Sequence, residues 1–279
     1  MVRIATGIDG SPRSLTAFRH AAAFGAGFGN DLVALHVVDP TADETISPGQ
    51  GRMRAARRAA ELERSLTPVL KEHRARFVTV MAERGESPAE ALRRGAAEEG
   101  AALLALGSRG GSGLQRRTLG GVATDLLRNS SLPLLLTGTN AGEPHTGGPM
   151  LWLTDEPVGG AALARSLHGV LAGGAASIVV VHLQPLDLPA PLAELRFTGR
   201  IDALRRLAPR DATIEGRFEH VGDRARVLPR VLELATELGA SCFALATSGH
   251  RLSHRLWGAS TALRLLEESP IPLVVVSRR

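Results

Sequence analysis

The sequence has few sulfur-containing and aromatic side chains. It contains one cysteine, Cys242, no tyrosine and only 3% aromatic residues in a chain of 279. A single cysteine excludes a disulfide within the chain, and its apolar neighbours in SCFALAT predict a buried side chain rather than a reactive thiol. Because aromatic rings are scarce, the chain is a poor candidate for stacking the bases of single-stranded nucleic acid.

Long apolar runs are missing as well. We find no uninterrupted stretch of about 18 apolar residues. The N-terminal segment MVRIATGIDGS lacks the charged, apolar and small-residue zones of a signal peptide. The 44% hydrophobic and 22% charged residues are an ordinary balance for a folded chain. The sequence therefore predicts a cytoplasmic protein with no membrane insertion.

The net charge of +5 rests on arginine, which is concentrated in helix-like stretches such as 52–65. Acidic residues are interleaved there, so a solvated amphipathic face is favoured over a nucleic-acid-binding patch. A mild positive balance still attracts small anions such as nucleotides.

Residues 1–138 alternate short apolar runs with longer stretches of helical periodicity, as a parallel sheet covered by helices requires. The predicted helices lie near 12–28, 51–74, 87–99 and 120–129. The predicted strands are Val2–Ile8, Leu32–Val38, Phe77–Glu83, Ala102–Gly107 and Leu132–Thr137.

The same order of runs recurs after residue 149, which indicates an internal repeat. The second set of strands reads MLWLT, SIVVVHL, ATIEGRFE, CFALAT and IPLVVVS. Gly100 and Pro133 of the first copy correspond to Gly239 and Pro272 of the second at one common offset. We therefore predict two tandem α/β domains, 1–138 and 149–279, each a doubly wound five-stranded parallel sheet.

The segment GSRGGSGLQRRTLGGVATDLL begins at Gly107, where the fourth predicted strand ends. A glycine-rich loop between a strand and a helix exposes backbone N–H groups, and the helix start adds partial positive charge. In doubly wound sheets, ligands lie at the carboxyl ends of the strands beside the change in strand order. The segment therefore predicts a phosphate-binding loop.

Two residues separate Gly107 from Gly110, and nine separate Gly110 from Gly120. This spacing resembles the nucleotide-binding motif of the universal stress proteins, and GIDGS and LHVVD at two strand ends strengthen the resemblance. It covers all of the first domain and, more loosely, the second. It implies the adenine-nucleotide α-hydrolase-like fold, a bound ATP, ADP or AMP with or without Mg²⁺, and a regulatory role in the stress response.

The resemblance also implies which residues contact the nucleotide. Asp9 would meet the ribose or the adenine edge, while Gly7, Ile8 and Val37 would border the base. The ribose and phosphates would be surrounded by Gly107, Ser108, Arg109, Gly110, Gly120, Gly121, Val122 and Ala123. Position 121 departs from the family, which has a hydroxyl there, so a hydrogen bond worth ~1–2 kcal/mol is missing and weaker binding is expected.

The second domain departs further from this motif. Ala246 stands at the first glycine position, and only eight residues separate Gly249 from Gly258. A Cβ at the tight position and a shorter loop disfavour a phosphate cradle. Asp155 is kept, but Glu156 adds a negative charge beside it. We expect a degenerate pocket with a packing or regulatory role.

Simpler structural roles remain open for these residues. The glycines could serve only a tight turn, and Asp9 could cap the first helix. At His36 and His182, which occupy matching strand positions, a packed and hydrogen-bonded histidine is favoured over a metal ligand. His250 and His254 lack the further ligands that would complete a zinc site.

The sequence carries none of the catalytic motifs that would mark an efficient enzyme. It has no Gly-x-Ser-x-Gly elbow, no P-loop lysine and no Rossmann glycine pattern after the first strand. A non-catalytic, nucleotide-binding regulatory protein is the leading interpretation. A slow ATP hydrolase and a nucleotide-free scaffold are the alternatives.

Both domains end in a very apolar strand, LPLLLT and IPLVVVS, with a proline near its start. Universal stress proteins commonly dimerise through their last strands. The resemblance therefore implies that these two strands pair within the chain, and it leaves a homodimer of the full chain open.

Overall fold

The computed structural model of the chain describes residues 3–27, 31–41, 47–109, 119–144, 146–154, 177–185, 190–207, 212–221, 223–247 and 259–277. Strands and helices alternate through the N-terminal half and, from Ser177 onward, through the described ranges of the C-terminal half. The predicted α/β class with a mostly parallel sheet is confirmed.

The N-terminal half contains five strands and four helices among its described residues. The strands are β1 Arg3–Gly7, β2 Asp31–Val38, β3 Arg76–Met81, β4 Ala101–Gly107 and β5 Leu134–Thr137. The helices are α1 Pro12–Gly27, α2 Pro48–Glu72, α3 Pro88–Glu98 and α4 Gly121–Asn129.

The C-terminal half follows the same plan as far as it is described. Its strands are β6 Met150–Thr154, β7 Ser177–Pro185, β8 Thr213–Val221, β9 Cys242–Thr247 and β10 Leu273–Ser277. Its helices are α5 Ala190–Leu207, α6 Val227–Glu237 and α7 Ala259–Glu268, with one 3₁₀ turn at Arg224–Arg226.

All ten strands form one sheet in the order β3-β2-β1-β4-β5-β10-β9-β6-β7-β8. Read inward from each edge, both halves have the same strand order. In each half the chain adds strands toward the outer edge first and then, after the third strand, continues on the other side of the first strand. Neighbouring strands are parallel except β5 and β10, which pair antiparallel with Leu135 opposite Val274. The joint is tight, because a Cβ on Gly138 would lie 1.7 Å from the carbonyl oxygen of Leu266 in α7.

Two helix ends differ from the sequence prediction by more than one residue, both in α2 and for identifiable reasons. The helix predicted at 51–74 begins at Pro48, because Ser47 and Gln50 form a reciprocal capping box before it. It ends at Glu72, because Arg74 adopts a left-handed conformation with φ 52°. The N–H groups of Arg74 and Ala75 donate to Lys71 and Leu70, a Schellman arrangement without the usual glycine.

Helices cover both faces of the sheet, so the side chains of each strand alternate between two apolar layers. In β1, Ala5 packs in the layer of α3 and α4, whereas Ile4 packs in the layer of α1 and α2. In β5, Leu134 lies in the first layer and Leu135 in the second. Because β1, β2, β4 and β5 run in one direction, the turns after them meet at one edge of the sheet.

Candidate functional site

The turn after β1 brings Asp9 to this edge. Asp9 is exposed, and its carboxylate oxygen Oδ1 accepts from the backbone N–H of Ser11 at 2.9 Å, just before α1 begins. Its own N–H donates to Ser14 Oγ at 3.3 Å. Gly10 has φ +81°, a conformation that glycine adopts without strain. Asp9 therefore shapes the entry to α1, the simpler role that the sequence left open.

The three residues predicted to border a base lie mostly inside the fold. Ile8 is buried in the α1 layer, and its N–H donates to the carbonyl of Leu35 at 2.9 Å. Val37 is partly buried on the opposite layer. A Cβ on Gly7 would lie 3.2 Å from a methyl group of Leu92. These residues support the turn and offer little side-chain surface to a ligand.

His36 also supports this turn. Its Nδ1–H donates to the carbonyl of Ile8 at 2.9 Å, and its ring stacks on Phe77. This is the packed, hydrogen-bonded histidine that the sequence favoured. In the described parts of the chain, no group of three or more His, Cys, Asp or Glu side chains could hold a metal ion.

The loop after β4 is closed at its base by backbone hydrogen bonds. The N–H of Ser108 donates to the carbonyl of Thr137, and the N–H of Gly120 donates to the carbonyl of Ser108, both at 2.8 Å. The first bond holds the loop to the end of β5, and the second joins its two ends. Residues 110–118, which include the predicted site residue Gly110, are outside the described residues.

Gly107 is placed where a side chain would meet backbone atoms. A Cβ there would lie 3.3 Å from the carbonyl oxygen of Arg109 and 3.5 Å from that of Arg13 in α1. The first contact is tighter than a Cβ usually makes and the second is ordinary van der Waals contact, so a side chain here would press on the backbone of the loop. The glycine that begins the motif thus lets the loop lie against the first turn of α1.

Helix α4 begins without a side-chain cap. Its N-cap, Gly120, is extended at φ −62° and ψ 155°, and the helical ladder starts with the Thr124 N–H donating to Gly120. Among the described residues, no acceptor meets the N–H groups of Gly121, Val122 and Ala123. By contrast, α2 and α3 begin with the capping boxes of Ser47 and Ser87.

This open helix start is the main electrostatic feature of the site. Three N–H groups that have no acceptor among the described residues lie at the positive end of the helix dipole, an arrangement that attracts anions. The sequence predicted that Gly120 would also contact the ribose or phosphates. Its N–H, however, already donates to the carbonyl of Ser108. Three of the four predicted helix-start residues remain as donors.

Arg109 reaches across to the C-terminal half. Its Nη2 donates to Oε1 of Glu267 in α7 at 2.9 Å, and both side chains are largely buried, with exposures of 21% and 26%. The sequence gave no sign of this ion pair, since the residues belong to different halves. Arg109, which the sequence predicted as a phosphate contact, is thus paired with a carboxylate of the C-terminal half.

The equivalent site of the C-terminal half is largely outside the described residues. This applies to Asp155, Glu156, Gly249, Gly258, His250 and His254. Of the aligned motif, only the backbone of Ala246 is described, at its place in β9. The prediction of a degenerate second pocket remains a prediction.

Cys242 is fully buried in β9, as its apolar neighbours predicted. Burial raises the pKa of its thiol to about 12, so the side chain stays neutral near pH 7. No helix in the described ranges is long and apolar enough to span a membrane.

The strand order and the two helix layers place the N-terminal half in the class of doubly wound α/β proteins. Residues 1–138 match the sequence profile of the universal stress protein family. The N-terminal half of the chain therefore belongs to the universal stress protein family.

Solved structures agree with this assignment of the fold. A universal stress protein from Archaeoglobus fulgidus DSM 4304 is 15% identical, with a TM-score of 0.68 over 99% of this chain and 98% of that chain. A protein from Pseudomonas aeruginosa UCBPP-PA14, described as a universal stress protein, is 18% identical, with a TM-score of 0.52 over 99% and 92%.

A third similar structure is a universal stress protein in complex with cAMP, at 24% identity and a TM-score of 0.38 over 50% of this chain and 97% of that chain. No curated protein sequence matches this chain.

Proposed function

We propose that the chain is a regulatory protein that binds an adenine nucleotide at the loop after β4 of its N-terminal half. In this proposal it is not an efficient enzyme, and occupancy of the loop alters its contacts with other proteins during the stress response. The single observation that carries the proposal is the uncapped start of α4, with three N–H donors and no acceptor among the described residues.

The contrast with neighbouring helices supports a ligand at this position. Both α2 and α3 begin with serine and proline, and in each helix the serine hydroxyl accepts from one first-turn N–H, that of Gln50 or Glu90. Helix α4 has two glycines at the same place, so it gives up that internal stabilisation. Unsatisfied donors at the ligand edge of the sheet are what a phosphate requires.

The residues present fit a nucleotide in part. The N–H groups of Gly121, Val122 and Ala123 suit phosphate oxygens, and Asp9 lies exposed at the same edge for a ribose hydroxyl. The hydroxyl expected at position 121 is absent, which predicts modest affinity. ATP, ADP and AMP all carry a phosphate group that these N–H donors would contact. A Mg²⁺ ion would accompany the longer phosphate chains of ATP and ADP.

A proline substitution tests the donor directly. Gly121 is the first residue of α4, the position where α2 and α3 already carry Pro48 and Pro88. A Cβ at Gly121 meets nothing within 4 Å, so Gly121→Pro should fold while removing one N–H. We expect ATP affinity to fall about 10- to 100-fold, the value of one charge-assisted hydrogen bond.

The matched control is Gly121→Ala, which adds a Cβ but keeps the N–H. Affinity is measured by calorimetry with ATP, ADP and AMP, and nucleotide released from gently purified protein is identified by mass spectrometry. Equal binding by wild type and Gly121→Pro would remove this site from the proposal. No nucleotide in the purified protein and no heat with ATP would favour a nucleotide-free scaffold.

We also propose that the C-terminal half serves as a permanent partner for the N-terminal half. The support is the antiparallel pairing of β5 with β10, which covers an edge strand that is otherwise open. Occupancy of the loop would then be communicated first to α7, which contacts the loop through Glu267.

A further inference from the structure

We propose that a small cavity between α1 and the ends of β4 and β5 binds a single phosphoryl-sized oxyanion. The cavity measures about 60 Å³. Its walls include Arg13 and Thr16 of α1, Ser108 and Arg109 after β4, and Thr137 at the end of β5. We call it the α1 pocket. The proposal does not depend on nucleotide binding at α4.

Thr137 supplies the observation that points to a ligand. The residue is 2% exposed, and its hydroxyl oxygen is buried without a hydrogen-bond partner. Side chains alternate along β5, so Thr137 points to the same face as Leu135, which packs in the layer of α1. Thr137 also lines the α1 pocket, and rotation of its side chain about χ1 would bring the unpartnered hydroxyl to a ligand oxygen there.

The charges around the α1 pocket favour an anion. Two arginines, Arg13 and Arg109, lie in its wall, and no carboxylate lines it among the described residues. Arg109 is held in place by Glu267, which is outside the wall and offsets part of the charge of Arg109, so Arg13 supplies the larger share of the net positive charge. A guanidinium group with a fixed position is well suited to a planar contact with phosphate oxygens.

The size of the α1 pocket limits the ligand. A volume of about 60 Å³ exceeds the ~15 Å³ that one water molecule needs. It is far below the ~300 Å³ of the smallest typical sites for drug-sized ligands. A nucleoside is therefore excluded, and one phosphate or sulfate group fits.

The α1 pocket is separate from the donors of α4. Helix α4 packs through Ala123 and Leu126 in the layer of α3, on the opposite face of the sheet from α1. Two sources of the oxyanion share this chemistry, namely free inorganic phosphate and the terminal phosphate of a bound nucleotide. The experiment separates them.

The test compares a threonine of the pocket with one outside it. Thr137→Val removes the unpartnered hydroxyl with little change of volume, whereas Thr67 lies in α2, outside the pocket wall, and its hydroxyl donates to the Glu63 carbonyl at 2.9 Å. Inorganic phosphate is titrated into the full chain by calorimetry against chloride at equal ionic strength. We expect saturable millimolar binding, about tenfold weaker in Thr137→Val and unchanged in Thr67→Val.

A loss of phosphate binding in Thr137→Val would not be due to unfolding of the variant. Replacing an unpartnered buried hydroxyl by a methyl group should raise the midpoint of thermal unfolding, so Thr137→Val remains folded. Arg13→Gln, an exposed change, provides a second variant that should also weaken phosphate binding. The absence of saturable phosphate binding, or equal binding by Thr137→Val, would show that the α1 pocket holds only water and would overturn the proposal.

Competition identifies the source of the oxyanion. If ATP prevents phosphate binding and AMP does not, the terminal phosphate of the nucleotide occupies the α1 pocket. If neither nucleotide competes, the ligand is free phosphate. Gly121→Pro removes a donor of α4 and leaves the α1 pocket intact, so phosphate binding that is weakened by Thr137→Val but retained in Gly121→Pro belongs to the α1 pocket. Nucleotide binding that is lost in Gly121→Pro belongs to α4, so the two proposals fail separately.

Discussion

Arg109 and Glu267 form an ion pair between the loop of the N-terminal half and the last turn of α7 in the C-terminal half, with 2.9 Å between Nη2 and Oε1. Both side chains are about three-quarters buried. The carboxylate of Glu267 thus lies beside the loop that we propose as the phosphate-binding site. Any anion at the loop must therefore compete with Glu267 for Arg109.

Glu267→Gln should tighten nucleotide binding. The substitution keeps the size of the side chain but removes the charge that opposes the phosphate and weakens the hold on Arg109. We expect ATP affinity to rise about two- to fivefold, which corresponds to ~0.5–1 kcal/mol for a partly exposed ion pair. Calorimetry with ATP measures the change.

The next residue of the same helix provides the control. Glu268 is more exposed and pairs with Arg264 at 3.0 Å, so Glu268→Gln makes the same change in net charge without touching the loop. Its ATP affinity should equal that of wild type. An equal increase in both variants would mean that Arg109 and Glu267 have no specific influence on the site.

Gly121→Ser should restore the hydroxyl that this chain lacks at the start of α4. A Cβ at position 121 meets nothing within 4 Å, and its φ is not in the left-handed region, so serine fits without strain. We expect ATP to bind about 5- to 30-fold more tightly, the value of a hydrogen bond to a charged group. Calorimetry tests this, with Gly121→Ala as the variant that adds a Cβ but no hydroxyl.

Much of the fold was predictable because local signals agree with one another. The strands of the N-terminal half were placed within two residues, since each is a short apolar run between turn residues. The start of α2 was missed because its signal is a capping box of Ser47 and Gln50, not hydrophobic periodicity. Its end was missed because Arg74 adopts a conformation that usually marks glycine.

The candidate site was predictable only in part. The glycine spacing predicted a loop after β4, and at Gly107 a Cβ would crowd the Arg109 carbonyl oxygen at 3.3 Å. Nothing in the sequence indicated that Gly120 uses its N–H on Ser108, or that Glu267 approaches Arg109. Both contacts depend on how distant segments meet, and no local pattern encodes that.

Stability at low pH should depend on Glu86. The side-chain hydrogen bonds from Arg94, at 2.8 and 3.0 Å, and the backbone N–H of Glu83 lower the pKa of Glu86 from 4.5 to about 2. A carboxyl with a lowered pKa in the folded state stabilises the fold above about 4.5, and this contribution is lost as the pH falls toward about 2.

Glu86→Gln should therefore make the loss of stability between pH 4.5 and about 2 shallower. Urea denaturation at several pH values in this range gives the free energy of unfolding. Glu98→Gln is the control, because Glu98 bonds to the same Arg94 at 3.2 Å but is 62% exposed. If both variants keep the slope of wild type, Glu86 does not contribute to the acid sensitivity.

The isolated fragment 1–138 should self-associate. In the full chain the outer edge of β5 is covered by β10, with Leu134 and Leu136 opposite Val275 and Leu273. Removing the C-terminal half exposes an apolar strand with unpaired backbone groups, and a second copy of the fragment offers the same edge for antiparallel pairing. Sedimentation velocity over a range of concentrations should show a dimer or larger species.

Adding the separate fragment 149–279 should convert these species into a one-to-one complex, because β10 then covers the edge of β5 again. Mixing the two fragments therefore distinguishes pairing at this edge from general aggregation, which a partner strand would not reverse. A fragment 1–138 that remains a monomer at the highest concentration would mean that β5 does not need a partner strand. The joint between the halves would then contribute little to holding the sheet together.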